Sequence, residues 1–553
     1  MNGKIVIEMQ NAFGRFIQLY HLNRLDLATD LFAKNGHLWL PDRNIDASGT
    51  EAIKKALKQM QEERIALGSQ RDIHMPHTPA YDTIENDTVG VASWDLHSFE
   101  FDSQDKVVYV YARIDAKYIE EDGKWRFLEL DWWDVEAFTP WDYDVNADDG
   151  KWQDLSGFCL PPAYEGDTTC RDFYQIQNTL ARYSHNNRKY AMEDTFANRE
   201  DISYRALPLT PDFVTGRKAI EEELKRLNRM EEENIGKYVY VPATGGPVIE
   251  VKGEKAHAQW MASIYTFEGE AFGIKELPYR FIRRIGLWNT VFVKENGEWK
   301  LKDSDIQILF RVPEIDYDSF CALENASNEK WYQRQGLSEN RWKPAMPKMG
   351  GDFPDELPFF ETFLARWVSS YKRGVIYEFI QDNCLNDERE MIFLSRKGRS
   401  PLTLVGTDLV LGYFSKGVFR YHHQQITNHG GMSPDVQIST DGRFATLNLF
   451  DMNSTAYDPK RTNETTIDIS SDWNQENSGY EHTPCRYQLS VYELSFAKVD
   501  GVWKLIKVDW ETVGSLPNIY LEGKKSRGWA GSKSQQRYPA LFEKYEYCKE
   551  RKE

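Results

Sequence analysis

Residues able to move protons recur at fixed offsets along this 553-residue chain. An aspartate stands six residues after a tryptophan three times: Trp125 and Asp131, Trp299 and Asp305, Trp503 and Asp509. Side chains alternate along a strand, so an even offset predicts that each aspartate shares the face of its tryptophan. A histidine stands five residues before a proline twice, His74 before Pro79 and His429 before Pro434; Pro242 takes that place before Pro247. His77 lies beside His74, and Tyr421, His422 and His423 precede His429. A carboxylate in an apolar cavity is costly to ionise, so its pKa rises and it can exchange a proton near neutrality. Such a set suits acid–base chemistry. No acidic or cysteine partner stands at ligand spacing from the tandem histidines, which points away from a metal. The G-x-S-x-G elbow, the P-loop and a G-x-G-x-x-G after a strand are all missing.

The elements that must hold these residues repeat three times. DGKWRFLELDWW (122–133), NGEWKLKDSDIQ (296–307) and DGVWKLIKVDWE (500–511) each read as a tight turn followed by a tryptophan strand. Asp-Gly and Asn-Gly favour type I′ hairpin turns, and an apolar run before each turn supplies the partner strand. Upstream, Gly49, Gly216 and Gly406 each precede a short amphipathic helix. The Gly-to-Pro spacings, Gly49 to Pro79, Gly216 to Pro247 and Gly406 to Pro434, are 30, 31 and 28 residues. Longer helical stretches at 13–33, 173–197 and 359–380 open the copies. Pro-led strand–turn–strand segments lie at 79–99, 247–267 and 434–452. The order is long helix, short helix, hairpin, long hairpin, an α+β arrangement in which a curved antiparallel sheet wraps helices into a cone. The predicted division is residues 1–145, a linker at 146–165, residues 166–317, a linker at 318–354, residues 355–520 and a tail at 521–553. A segment rich in Asn, Thr, Ser and Asp near 454–484 is an insertion that could cover a cavity. Pro140 and Tyr143, Pro313 and Tyr317, and Pro517 and Tyr520 form a strap after each tryptophan strand.

Composition narrows the partners. With 86 acidic and 68 basic side chains the formal charge is −18, which repels phosphate backbones and anionic lipid. No run of about 18 apolar residues exists, and the N-terminus lacks a secretory pattern. The six cysteines fit neither a zinc site nor a disulfide framework, as in a reducing cytoplasm. Aromatic residues, 14% of the chain, suit both cores and pockets for flat apolar ligands.

The fourfold order resembles the SnoaL-like, NTF2-like domains, the middle copy most clearly, through LARYSHNNRKYAMEDTFA, TGRKAIEEEL, GPVIEVKGEKAHAQW and NGEWKL. That resemblance covers about 80% of the chain and implies three tandem cones similar to the ketosteroid isomerase, scytalone dehydratase and bile-acid dehydratase group. It implies a lyase or isomerase that uses no metal or organic cofactor, acting on a small apolar, cyclic or aromatic molecule. Tyr20 stands where this family often has a first-helix Tyr, with Asn23 and Asp26 one and two turns on, and His74 where its dehydratases carry a His. The implied catalytic residues are Tyr20, His74 and Asp131 in the first copy, and His429 and Asp509 as a second site. Asn23, Asp26, His77, Tyr421 and His422 are the substrate-binding candidates. The middle copy has Tyr183 and His185 on its helix but Pro242 at the histidine place, and is expected to be architectural. Members of the group that only bind ligands or proteins leave a scaffold role as the alternative. Domains of this kind commonly pair through their sheets, so three per chain leaves an unpaired face and a homo-oligomer is expected.

Overall fold

A computed structural model describes the chain except residues 1, 67–71, 85–87, 102–106, 141–154, 165–167, 186–191, 234–237, 270–278, 312–314, 318–346, 373–375, 386–392, 398–401, 415–424, 458–485, 518–520 and 527–553. The first unit has helix α1 (Gly3–His21), strands β1 (Phe32–Leu40) and β2 (Ile45–Ser48), and helix α2 (Thr50–Ala66). Then come β3 (Asp72–Pro76), β4 (Ala80–Ile84), β5 (Val89–Phe101), β6 (Val107–Glu121) and β7 (Lys124–Pro140). The second has α3 (Cys170–His185), α4 (Met192–Thr195), β8 (Ser203–Ala206), β9 (Thr210–Thr215), α5 (Arg217–Glu233), β10 (Tyr238–Lys252), β11 (Lys255–Gly269), β12 (Tyr279–Glu295), β13 (Glu298–Arg311) and β14 (Ile315–Tyr317). The third has α6 (Leu357–Lys372), α7 (Ile376–Asn383), β15 (Phe393–Lys397), β16 (Leu402–Val405), α8 (Thr407–Phe414), β17 (Gln425–Asn428), β18 (Gly431–Ile438), β19 (Phe444–Tyr457), β20 (Arg486–Val499) and β21 (Val502–Pro517). A last strand, β22 (Leu521–Ser526), leaves this unit and pairs antiparallel with β7 of the first. Among the described residues no helix is long and apolar enough to cross a membrane.

The three sheets share one order: β2-β1-β7-β6-β5-β3, β9-β8-β13-β12-β11-β10 and β16-β15-β21-β20-β19-β17. Every pairing is antiparallel except that of β1, β8 or β15 with the tryptophan strand. This small hairpin between the two helices of each copy is not evident in the sequence reading. The turns are as the sequence dictates. Asp122 and Gly123 have φ of 54° and 74°, and Asn296, Gly297, Asp500 and Gly501 are likewise left-handed. Gly49, Gly216 and Gly406 also take positive φ, which lets the strand turn into the helix. The prolines sit where each edge strand breaks, since proline cannot donate to a ladder. Tyr317 lies on β14, paired with β12, whereas Tyr143, Tyr520 and the bulk of the 454–484 insertion lie outside the described residues.

The three first helices close a ring. Helix α1 packs on β10, α3 on β18 and α6 on β4, so each unit lays its helix on the next unit's sheet. The same hydrogen bond recurs at each joint, to the amide two residues past the proline. Ile249 N donates to Asn11 Oδ1 at 2.6 Å, Val436 N to Asn178 Oδ1 at 3.1 Å and Tyr81 N to Thr362 Oγ1 at 3.2 Å. These bonds fix the true correspondence of the helices: Asn11, Asn178 and Thr362 are equivalent. Phe16 is then the counterpart of Tyr183 and Trp367, and Tyr20 lies one turn further on.

The preceding equivalent positions, Gln10, Gln177 and Glu361, meet where the helices converge. Glu361 accepts from Gln10 Nε2 and Gln177 Nε2, both at 2.7 Å, and from Tyr174 OH at 2.8 Å. Burial raises its pKa to about 7 against these stabilising bonds. Between the ordinary value of 4.5 and 7, the folded state keeps a proton that the unfolded state has lost, so stability falls as pH rises there. The stability difference between Glu361→Gln and wild type is expected to move in favour of the variant by about 3 kcal/mol from pH 4.5 to 8. Urea titrations at both ends of that range check it. A difference independent of pH would show that Glu361 titrates normally.

Candidate functional site

Among the described residues, polar groups converge in the first cone on Asp72 at the start of β3. Tyr20 OH donates to Asp72 Oδ2 at 2.5 Å and Arg43 Nη2 to the same oxygen at 2.7 Å. Arg64 Nη1, from the end of α2, pairs with Oδ1. Arg64 Nε also donates to Asn23 Oδ1 at 2.9 Å, and its guanidinium lies over the Tyr20 ring. Burial opposes ionisation of Asp72, but Arg64 and Arg43 outweigh it and hold the carboxyl well below its usual range. His74 follows two residues along the strand, on the same face. Its Nδ1 is 2.6 Å from Ser98 Oγ, and Nε2 is 3.5 Å from Asp72 Oδ2, without a hydrogen-bond partner. Trp132 packs edge-on to both Tyr20 and His74. Burial brings the His74 pKa down to about 4 against the upward pull of Asp72, so the ring is neutral at pH 7. Burial likewise raises the Tyr20 phenol, which stays protonated.

A cavity of about 240 Å³ opens beside this cluster. Its apolar wall is Leu40, Trp132 and Trp133. Its polar wall carries Arg43 and the carboxylates of Asp42, Asp72, Glu100 and Asp134. Ligand atoms of Asp72, His74 and Glu100 fall within 4.8 Å of one another, the spread of a metal cluster. Arg43 and Arg64 already supply the positive charge at Asp72, so the set does not read as a metal centre.

The aspartates after the tryptophans are elsewhere, and the reason is the same in each copy. Lys117 pairs with Glu129 and Tyr118 with Phe127, so Leu128 is a bulge. Lys302 and Ile506 are the equivalent bulges. One extra residue reverses the parity downstream. Leu130 and Trp132 therefore point into the core and Asp131 points to the outer face. Asp131 sits opposite Asp115 on that face. Asp305 pairs with Arg205 at 2.6 Å, and Asp509 lies 3.3 Å from Lys507. Neither Asp131 with His74 nor Asp509 with His429 forms a site. His429 joins a different acid: its Nδ1 is 2.7 Å from Asp451 Oδ2, whose other oxygen accepts from Gly430 N at 3.0 Å.

The binding candidates scatter. Asn23 supports Arg64, but Asp26 makes a surface ion pair with Arg24 at 2.9 Å, away from the cluster. His77 is buried against Gly430 of the third unit, edge-on to His97 at 4.3 Å, and serves the joint between units. Tyr421 and His422 lie outside the described residues. In the second unit Tyr183 OH meets Tyr204 OH at 2.9 Å, and Trp260, Trp288 and Phe292 fill the core. His185 turns outward, 2.7 Å from Ser433 O and stacked on Phe450. Trp367, Phe379, Phe414 and Trp510 fill the third core. Sequence reasoning missed Asp72, Arg43 and Arg64. Asp72 carried a usable signal, two residues before His74 on a strand; the arginines carried none.

The SnoaL-like domain family matches residues 7–131 and 169–305. No curated protein matches the chain. Among solved structures it is similar to a putative scytalone dehydratase from Novosphingobium aromaticivorans, at 19% identity over 26% of this chain and 93% of that one, TM-score 0.21. It is also similar to a hexachlorocyclohexane dehydrochlorinase, LinA-type3, from Novosphingobium barchaimii, at 10% identity over 26% and 94%, TM-score 0.23. An NTF2-like protein with a cystatin-like fold from N. aromaticivorans gives 13% identity over 23% and 80%, TM-score 0.20.

Proposed function

Because two stretches of this chain, 7–131 and 169–305, match the SnoaL-like domain family, we propose that its first cone is the working site of a cofactor-independent lyase or isomerase. The observation that carries this reading is the convergence of Tyr20, Arg43, Arg64 and His74 on one buried carboxylate beside a cavity. A fold needs no such cluster for stability, since buried ion pairs seldom repay their desolvation. In this reading His74 is the base. Its proton is taken to be on Nδ1, toward Ser98, which leaves the Nε2 lone pair for a substrate C–H proton. The imidazolium that forms is stabilised by Asp72. Arg43, whose side chain is 30% exposed and lies over the Tyr20 and Trp132 rings, moves onto the developing oxyanion and opens the way to His74. Tyr20 and Arg64 position Asp72. A small apolar ring would lie against Trp132 and Trp133, and the second and third units would be architectural.

The filled second and third cores favour the scaffold alternative for those units alone. A neutral probe of base strength separates the readings: 5-nitrobenzisoxazole, which loses its ring C–H proton to a base as the N–O bond breaks, giving a nitrile and a coloured phenolate. The wild-type protein is expected to accelerate this opening, and His74→Ala to lower the rate about 100-fold or more. His429→Ala should leave it unchanged. Equal rates for wild type and His74→Ala would remove the base role and favour the scaffold.

A further inference from the structure

The three joints of the ring are built alike, yet only two of them carry an acid. By the shared hydrogen bonds, Gln10 and Val248 of the first joint correspond to Gln177 and Asp435 of the second and to Glu361 and Ala80 of the third. The first joint has no acid at these places, the second has one on its strand and the third has one on its helix. Both acids are enclosed: Glu361 is 1% exposed and Asp435 3%. No nearby cation bears on Glu361, and only Arg182 of α3 bears on Asp435. Arg182 itself is bonded to Asn178 O and Thr179 Oγ1. Gln437 Nε2 donates to Asp435 Oδ2 at 3.2 Å, while Oδ1 is buried without a donor. His185 of α3 lies on Ser433 O, two residues from Asp435, and is neutral, its pKa lowered to about 4 by burial. Around Glu361 stand Tyr174 and Cys170 of α3 and Tyr81 of β4, all raised by burial, and α1 contributes the uncharged Gln10. These phenols and the thiol stay protonated, so only hydrogen bonds offset a charge on Glu361.

We propose that the ring is a proton-operated latch: Asp435 and Glu361 keep the second and third joints closed as neutral acids, and losing their protons releases those joints. The first joint is the fixed one. A buried carboxylate without a counter-ion is costly, whereas one that reaches water on opening ionises freely. Burial raises Asp435 to about 6 and Glu361 to about 7, from ordinary values of 3.8 and 4.5. Each acid therefore supports its joint fully below the ordinary value, and that support is lost as pH rises through the raised one. With the ordinary value restored on opening, linkage makes the second joint open about 10-fold more often at pH 8 than at pH 5, and the third about 70-fold. The latch holds whether or not the first cone is catalytic.

Native-state hydrogen exchange on the full chain at pH 5 and pH 8, corrected for the intrinsic rate of each amide, tests the proposal. The reporters are the amides of Ile249, Val436 and Tyr81, which make the three joint bonds. The opening constant is expected to rise about 10-fold at Val436 and about 70-fold at Tyr81, and by less than about 2-fold at Ile249. Asp435→Asn should abolish the rise at Val436 alone, and Glu361→Gln the rise at Tyr81 alone. Each variant puts a neutral side chain of the same shape in place of the acid, and Gln is already present at the two equivalent helix positions. The proposal is overturned if the three amides rise together, if none rises, or if either variant leaves the pH response of its own amide intact. Should a variant fail to fold, the wild-type comparison decides alone: rises in the order Tyr81, Val436, Ile249 support the latch, and any other order contradicts it.

Discussion

Replacing Asp72 with alanine is expected to cost about 3–5 kcal/mol of stability at pH 7, the usual penalty for breaking a buried ion pair by removing one partner. Arg64, with a side chain only 6% exposed, would keep its charge and lose its carboxylate, and Tyr20 OH would lose its acceptor. The variant Arg64→Met combined with Asp72→Ala should be less damaging than Asp72→Ala alone, since the fully buried guanidinium is then gone and only Arg43, with a side chain 30% exposed, loses its carboxylate. Urea unfolding, with hydrogen exchange on β3 and α2, measures both. A loss under about 1 kcal/mol for Asp72→Ala would mean that Arg64 finds water or another acid, and that the cluster is open in solution. The pH dependence has a definite sign. The folded pKa of Asp72 is depressed, so its contribution is complete above the ordinary carboxylate range and is lost as the pH falls through the lower folded value.

A second large loss is expected at the joint between the first two units. Gly14 faces the backbone of β10, and a Cβ there would fall inside van der Waals contact of the Pro247 carbonyl oxygen. Ala181 and Ala365, the equivalent positions by the shared hydrogen bonds, are also small. In an isolated helix, replacing a glycine with alanine stabilises by about 1 kcal/mol. Here Gly14→Ala should destabilise instead, and Gly14→Leu by about 3 kcal/mol or more, because a backbone carbonyl cannot rotate away as a side chain can. Faster hydrogen exchange in α1 and β10, with β18 unchanged, would locate the damage at this joint. A stabilised Gly14→Ala would contradict the packing of α1 on β10.

These two positions also mark what a reader of the sequence could and could not have found. The hairpin turns announced themselves, because Asp-Gly and Asn-Gly have few uses other than positive φ at both central residues. The glycines before the second helices were legible for the same reason, and with them the threefold repeat. Asp131, Asp305 and Asp509 misled because a bulge three residues after each tryptophan leaves no mark in residue type, yet reverses every side chain beyond it. Tyr20 and His74 were named from the sequence, and the fold brings them together; the carboxylate between them was overlooked, although Asp72 and His74 share a strand face. Arg43 and Arg64 come from a loop and a helix end, and only the tertiary fold brings them to Asp72. The ring of three units was hidden too. It depends on Gln10, Gln177 and Glu361 meeting on one axis, and these residues look like ordinary polar positions on three separate helices.

The most direct test of the first cone as an acid–base site is the pH dependence of 5-nitrobenzisoxazole opening, followed from pH 3 to 8 in wild type and His74→Ala. A base must be deprotonated to act, so the rate should rise through the His74 pKa of about 4 and stay level to neutrality, and this limb should vanish in the variant. A limb centred near 6.5, the ordinary histidine value, or one that survives in His74→Ala, would place the base at another residue and contradict the account.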